Sequence, residues 1–253
     1  MKTVFMTGGS RELALRHLLE KGVDVVALIC PRPSNSNSRF LEAILTAHEF
    51  GIPVCCVAKN EVTATLMAIN YDLLVSCGFS YVIDEDAIKT AKIMAINVHP
   101  TLLPKYRGYR SGPFIVMNGE TTSGVTIHKL VSGLDKGDIL LQKSFEVTEF
   151  DTTKSVFRKA CEMEPSLLFE AISNIESGNI TLTTQNEEEA TEYNEIRTPK
   201  DSLIDVNKSF NDLYNFIRAC DYNEYPAHFF INGEKVKIKL EREQKNQYEF
   251  DMI

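Results

Sequence analysis

Residues 3–30 read TVFMTGGSRELALRHLLEKGVDVVALIC. Thr3 to Met6 is a short apolar run with a β-branched start, and Val23 to Cys30 is a longer one rich in valine. Between them, Arg11 to Lys21 spaces its apolar residues as one face of a helix. Strand, turn, helix and strand in that order, within so short a stretch, predict two parallel strands joined by a crossover helix. The pattern continues: Pro53 to Val57, Asp72 to Cys77 and Ile93 to Val98 are further buried-strand runs, while Arg39 to Phe50 and Asp84 to Ala91 carry helical spacing between them. Such alternation predicts an α/β fold with a mostly parallel sheet and helices on both faces, in the Rossmann-like manner.

After residue 120 the pattern changes. Gly124 to Leu130 and Asp138 to Val147 are longer strand candidates joined by the turn-rich Ser132 to Gly137, as in an antiparallel ribbon on a sheet edge. A long helix is expected over Thr152 to Ile175, with Thr153 and its polar neighbours at the start and Gly178 just past the end. Asn186 to Glu195 is acidic and poor in large apolar residues, which reads as an exposed connector. Beyond it lie a helix pattern, Ser209 to Ala219, and two strand runs, Ala227 to Ile231 and Lys235 to Leu240, flanking Asn232-Gly233, a strong hairpin signal. The expected organisation is a main domain over 1–190 and a small helix and β-hairpin unit over 191–253.

The 253 residues are 43% hydrophobic, enough for one substantial core and an annex. No segment approaches the roughly 20 apolar residues of a membrane span, and the N-terminus leads into a strand run rather than a signal core. A cytoplasmic protein with no membrane partner is expected. The six cysteines include no C-x-x-C pair and mostly sit in strand runs, so buried free thiols are expected and no metal site. A formal net charge of -8 disfavours nucleic acid, whose binding rests largely on cationic contacts to phosphate.

Ile96-Asn97-Val98-His99-Pro100 closes the last buried strand of the alternating series, where ligand crevices of open α/β sheets lie. Asn97 and His99 are two positions apart and so share a face of the strand, converging an amide donor and a titratable base. Downstream come Thr101-Leu102-Leu103-Pro104-Lys105-Tyr106-Arg107-Gly108, a helix ending at Asn118-Gly119-Glu120, then Gly124-Val125-Thr126-Ile127-His128 and Leu134-Asp135-Lys136-Gly137-Asp138-Ile139. From Met1 to about Ile139 this ordered set resembles the formyltransferase family, which includes glycinamide ribonucleotide, methionyl-tRNA and nucleotide-sugar N-formyltransferases. The resemblance implies formyl transfer from 10-formyltetrahydrofolate to an amine, with Asn97, His99 and Asp135 as the catalytic triad. Attack by an amine builds negative charge on the formyl oxygen, for which Asn97 is the donor, and frees a proton, for which His99 is the carrier. Asp135 either orients the imidazole or takes the proton itself.

By the same resemblance, Ser80, Tyr81, Val82 and Ile83, with Val131, Ser132, Gly133, Leu134 and Asp138, are the folate-binding candidates. Gly9, Ser10 and Arg11 in the first βα turn, with Lys105, Arg107 and Tyr222, are the substrate-binding candidates; the turn can receive a phosphate at the helix N-terminus. Arg197 to Ser202, Leu213 to Ala219 and Tyr225-Pro226-Ala227 are similar to the start of the C-terminal unit of methionyl-tRNA and sugar formyltransferases. The chain stops at Ile253, without room for the barrel of the tRNA enzymes, and is acidic. The expected acceptor is therefore a nucleotide-linked amino sugar, specifically dTDP-4-amino-4,6-dideoxyglucose, for surface polysaccharide (lipopolysaccharide O-antigen) synthesis, in a homodimer paired through the C-terminal unit. Alternatives are a methionyl-tRNA or glycinamide ribonucleotide formyltransferase. From other classes come a non-catalytic folate-binding sensor and a dinucleotide-binding oxidoreductase, the latter disfavoured because Thr7-Gly8-Gly9-Ser10-Arg11 does not fit G-x-G-x-x-G.

Overall fold

The computed structural model describes residues 1–253 except 35–37, 109–110, 194, 196 and 222. Strands β1 (Thr3–Met6), β2 (Val25–Pro31), β3 (Val54–Val57), β4 (Leu73–Cys77) and β5 (Met94–His99) alternate with helices α1 (Glu12–Glu20), α2 (Leu41–Glu49), α3 (Val62–Met67) and α4 (Glu85–Ile88). Then follow α5 (Gly112–Met117), β6 (Thr122–Lys129), β7 (Ile139–Glu146) and the long α6 (Thr153–Glu176). The seven strands form one sheet in the order β3-β2-β1-β4-β5-β6-β7. β1 to β5 pair in parallel, whereas β6 and β7 run antiparallel on one edge.

The parallel strands are apolar throughout because both faces are covered. On one face Phe5, Leu28, Val75, Ile96 and Val98 pack with α1, α2 and α6. On the other, Val4, Met6, Ile29, Leu74 and Ala95 pack with Val62 and Leu66 of α3 and Ala87 of α4. The helix expected over 84–91 is shorter, a single turn whose start is capped by the Asp84 carboxylate accepting from the Ala87 N–H at 2.8 Å. The cysteines are free, Cys30 and Cys77 buried as expected, but Cys56 is exposed.

The C-terminal part contains α7 (Phe210–Ala219) and a two-stranded hairpin, β8 (His228–Ile231) and β9 (Glu234–Lys237). Asn232 and Gly233 both take positive φ, 51° and 84°, as the tight two-residue turn requires. The stretch read as an exposed connector has mostly exposed side chains, yet it is not loose. Arg107 bridges Glu192, its N–H donates to the Thr191 carbonyl at 2.9 Å and its carbonyl accepts from the Tyr193 N–H at 2.9 Å. The compositional change near residue 190 thus marks no break in contacts. Among the described residues no helix is long and apolar enough to cross a membrane.

Candidate active site

Strand order reverses between β1 and β4, and the crevice at the carboxyl ends of neighbouring strands is where α/β sheets take ligands. The turn after β1 and the loop after β4 meet there: the Gly8 N–H donates to the Gly78 carbonyl at 3.0 Å, and a Cβ on Gly8 would sit 2.1 Å from Ser80 Oγ. β5 delivers Asn97 and His99 beside this point, with Ser76 of β4 in register with Asn97. Both side chains lie on the sheet face opposite Ile96 and Val98, by the alternation of a strand.

Asp135 joins them from the loop between β6 and β7. Its Oδ2 lies 3.5 Å from His99 Nδ1 and accepts the Gly108 N–H at 2.9 Å. His99 Nε2 donates to the Tyr106 carbonyl at 2.9 Å, so the ring is held by a main-chain acceptor at one nitrogen and faces a carboxylate with the other. Asp135 is 8% exposed. Burial pushes its carboxyl up, but the positive charge that the neighbouring imidazoles of His99 and His128 carry when protonated, together with the Gly108 N–H, outweighs that and holds it well below the usual carboxylate range.

His128 is the residue that the sequence reading passed over. It stands opposite Asn97 in the β5–β6 register, and the two side chains touch, Asn97 Nδ2 to His128 Nε2 being 3.1 Å. His128 Nδ1 faces the Lys129 carbonyl at 2.9 Å; a carbonyl only accepts, so Nδ1 carries the proton and Nε2 is the acceptor for the Asn97 N–H. The second Asn97 N–H points at Asp135 Oδ1 from 3.5 Å, a loose contact that leaves it available to an incoming oxygen. In the sequence His128 closes the motif Gly124 to His128, but its place opposite Asn97 shows only once the strands are paired.

The sequence pattern of the family described as formyl transferase matches residues 12–172. The chain belongs to the formyl transferase family. Methionyl-tRNA formyltransferase of Thermotoga neapolitana is 30% identical over 250 residues, spanning 94% of this chain and 78% of that protein. Among solved structures, a 4-N formyltransferase from Francisella tularensis superposes with a TM-score of 0.78 at 24% identity, covering 96% of this chain and 98% of that one. An N-formyltransferase from Helicobacter canadensis in complex with folinic acid and dTDP-3-aminofucose matches with a TM-score of 0.72 at 21% identity, over 92% of this chain and 84% of that one. The protein is a formyl-transferring enzyme, which sets aside the oxidoreductase and sensor readings.

In this formyl transferase the two expected folate loops present apolar side chains at the surface beside the site: Val82 is 75% exposed, Leu134 44% and Val131 37%. Ser80, Ser132 and Gly133 are exposed too, and Asp138 is half-buried. Tyr81 and Ile83 instead lean on the core face that holds Val4 and Met6, with Phe79 and Tyr81 in edge-to-face contact at 5.4 Å. Gly9 and Ser10 lie on the crevice turn, Ser10 exposed.

The side chains of two basic candidates are buried. Arg11 is turned inward beneath that turn, 6% exposed, and pairs with the fully buried Glu164 of α6 at 2.7 Å, because a buried carboxylate needs a cation more than a solvated crevice does. Arg107 is 1% exposed, with its guanidinium bonded to Gln185 and Glu187. Neither side chain faces open solvent where a substrate anion would arrive. Lys105 is exposed and remains a candidate, whereas Tyr222 lies outside the described residues. Among the described residues no group of three or more His, Cys, Asp or Glu side chains is arranged to hold a metal ion.

Proposed function

We propose that this enzyme moves the formyl group of 10-formyltetrahydrofolate to the amine of a nucleotide-linked amino sugar, dTDP-4-amino-4,6-dideoxyglucose being the specific candidate. The observation that carries the chemistry is the loosely held N–H of Asn97 beside the His99–Asp135 pair. As the amine nitrogen bonds to the formyl carbon, the formyl oxygen gains negative charge and takes that N–H. The proton leaving the amine passes to His99 Nδ1, which faces the Asp135 carboxylate at 3.5 Å. The bond from the formyl carbon to the folate nitrogen then breaks, and that nitrogen receives the proton. Asp135 serves as the fixed charge, its Oδ2 held by the Gly108 N–H at 2.9 Å. The folate would lie against Val82, Val131 and Leu134, whose exposure suits a flat apolar ring.

The acceptor rests on two supports. The fold likeness to sugar formyltransferases runs through the C-terminal helix and hairpin, and the Helicobacter canadensis relative holds a dTDP-linked amino sugar. The net charge of -8 weighs against a polyanionic tRNA. Sequence identity to methionyl-tRNA formyltransferases favours a second reading in which methionyl-tRNA is the acceptor. The test is a panel of dTDP-, UDP- and GDP-linked amino sugars, methionyl-tRNA and glycinamide ribonucleotide, each incubated with 10-formyltetrahydrofolate and screened by mass spectrometry for gain of one formyl group. A dTDP-linked amino sugar should react best. Efficient formylation of methionyl-tRNA with every sugar inert would replace this acceptor by the second reading.

A further inference from the structure

Asp135 has a backbone φ of 55°, in the left-handed region that is uncommon for a residue with a Cβ, although Asp enters it more readily than most. What holds it there comes from 50 residues further along the chain. The side chain of Gln185, 6% exposed, donates one N–H to the Asp135 carbonyl at 2.8 Å and the other to the Gly137 carbonyl at 2.7 Å. Its own oxygen accepts from Arg107 twice, from Nε at 3.0 Å and a terminal nitrogen at 2.8 Å. Both donors and the acceptor of this buried amide are therefore satisfied, which fixes its orientation.

Arg107 is fixed in turn. Its guanidinium makes a two-pronged contact with Glu187 at 2.9 and 2.7 Å, its N–H donates to the Thr191 carbonyl at 2.9 Å, and its carbonyl accepts from the Tyr193 N–H at 2.9 Å. The next residue, Gly108, holds the Asp135 carboxylate. Asp135 is thus gripped at its side chain by Gly108 and at its main chain by Gln185, and Arg107 ties the two grips together. The turn has little slack on its other side, since a Cβ on Gly137 would lie 1.9 Å from the Lys129 carbonyl oxygen.

We propose that Gln185, locked by Arg107 and Glu187, is a positioning residue for formyl transfer: it sets the turn that aims the Asp135 carboxylate at His99. The acidic stretch after residue 185 would then be part of the catalytic scaffold rather than a linker. The inference rests on Asp135 acting in the reaction, but not on which amine is formylated.

The experiment compares the full chain with its Gln185→Leu and Glu187→Ala variants. The first readout needs no acceptor: the Asp135 carboxyl carbon is followed by NMR, assigned against Asp135→Asn, as pH is lowered through the ordinary carboxylate range. In the wild type it should stay ionised, and in Gln185→Leu it should titrate within that range, because the carboxylate no longer sits squarely between its donors. The second is steady-state kinetics with dTDP-4-amino-4,6-dideoxyglucose, where kcat should fall about tenfold to a hundredfold in Gln185→Leu with KM changed less than about threefold. Glu187, whose side chain is 66% exposed, can be truncated without opening the core, so Glu187→Ala decides the matter if Gln185→Leu does not fold; its effects should be in the same direction and smaller. Wild-type titration of Asp135 in the folded variants would overturn the proposal, as would an unchanged kcat. Inert sugar with an altered Asp135 titration would refute the acceptor and leave the clasp standing.

Discussion

A carboxylate with two imidazoles and a main-chain N–H around it has a pH signature that follows from sign alone. Asp135 is held below its ordinary pKa when folded, so its contribution to stability is fully present above the unfolded-state value near about 4 and is lost as pH falls from there toward the folded value. The wild-type melting temperature should therefore drop more steeply below about pH 4 than that of Asp135→Asn, which has no such charge to lose. Parallel melting curves of the two across that range would contradict the assignment. His128 gives a second prediction. Since its Nε2 holds one Asn97 N–H and the other is only loosely held toward Asp135 Oδ1, His128→Phe should lower kcat about tenfold or more by letting the amide turn. In an Asn97→Ala background, itself expected to cost about a hundredfold to a thousandfold, the same change should add little. Additive losses in this double-mutant cycle would mean that His128 acts elsewhere. That Asn97, His99 and Asp135 come together was legible from the order of their motifs, whereas the place of His128 opposite Asn97 shows only once β5 and β6 are paired. That the Arg11 and Arg107 side chains turn inward was not legible, because the partners that hold them, Glu164, Gln185 and Glu187, are far away in sequence.

Among elements, the parallel strands were the most legible, since a strand buried on both faces is a continuous apolar run with punctuated ends. α3 went unrecognised because Val62–Met67 is too short to show a helical stripe, and the segment after Gln185 was taken for a connector because its composition is that of one. Its tie to the site is made by main-chain groups and one buried amide, neither of which leaves a periodic trace. The close approach of β6 to β7 is similarly hidden in a single glycine. A Cβ on Gly124 would lie 2.2 Å from the Lys143 carbonyl oxygen and 2.5 Å from Leu102 Cδ2. The first of these is strand backbone and cannot swing aside, so Gly124→Ala should destabilise the fold by about 1 to 3 kcal/mol, read as a lower denaturation midpoint in urea. An unchanged midpoint would show that the edge ribbon moves apart without cost.

At the scale of the molecule, the question is how firmly α7 and the hairpin are held to the elements of the main sheet. α7 packs on α5, and its Arg218, 6% exposed, reaches across to donate to the carbonyls of Thr148 and Asp151 at 2.9 and 2.8 Å, with Asn215 accepting from its Nε at 2.8 Å. The loop it grips leads into α6, and other ties converge there: Thr153 Oγ1 donates to the Ala219 carbonyl at 2.8 Å, Arg158 pairs with Asp251 at 2.9 Å, and the Ile253 N–H donates to the Phe150 carbonyl at 2.9 Å. These contacts tie α7 and the C-terminal end to the loop before α6 and to the start of α6. Replacing Arg218 by Met keeps much of the side-chain volume but leaves the Thr148 and Asp151 carbonyls without that donor, at a cost of about 2 to 4 kcal/mol for the charged hydrogen bonds. Because α7 and the hairpin do not contribute strands to the main sheet, that cost should appear as local opening rather than global unfolding. Hydrogen exchange should accelerate in 210–237 while amides of β1, β4 and β5 keep their protection. Uniform acceleration across all of these strands would instead make the C-terminal unit an integral part of one cooperative fold, with Arg218 among its central supports.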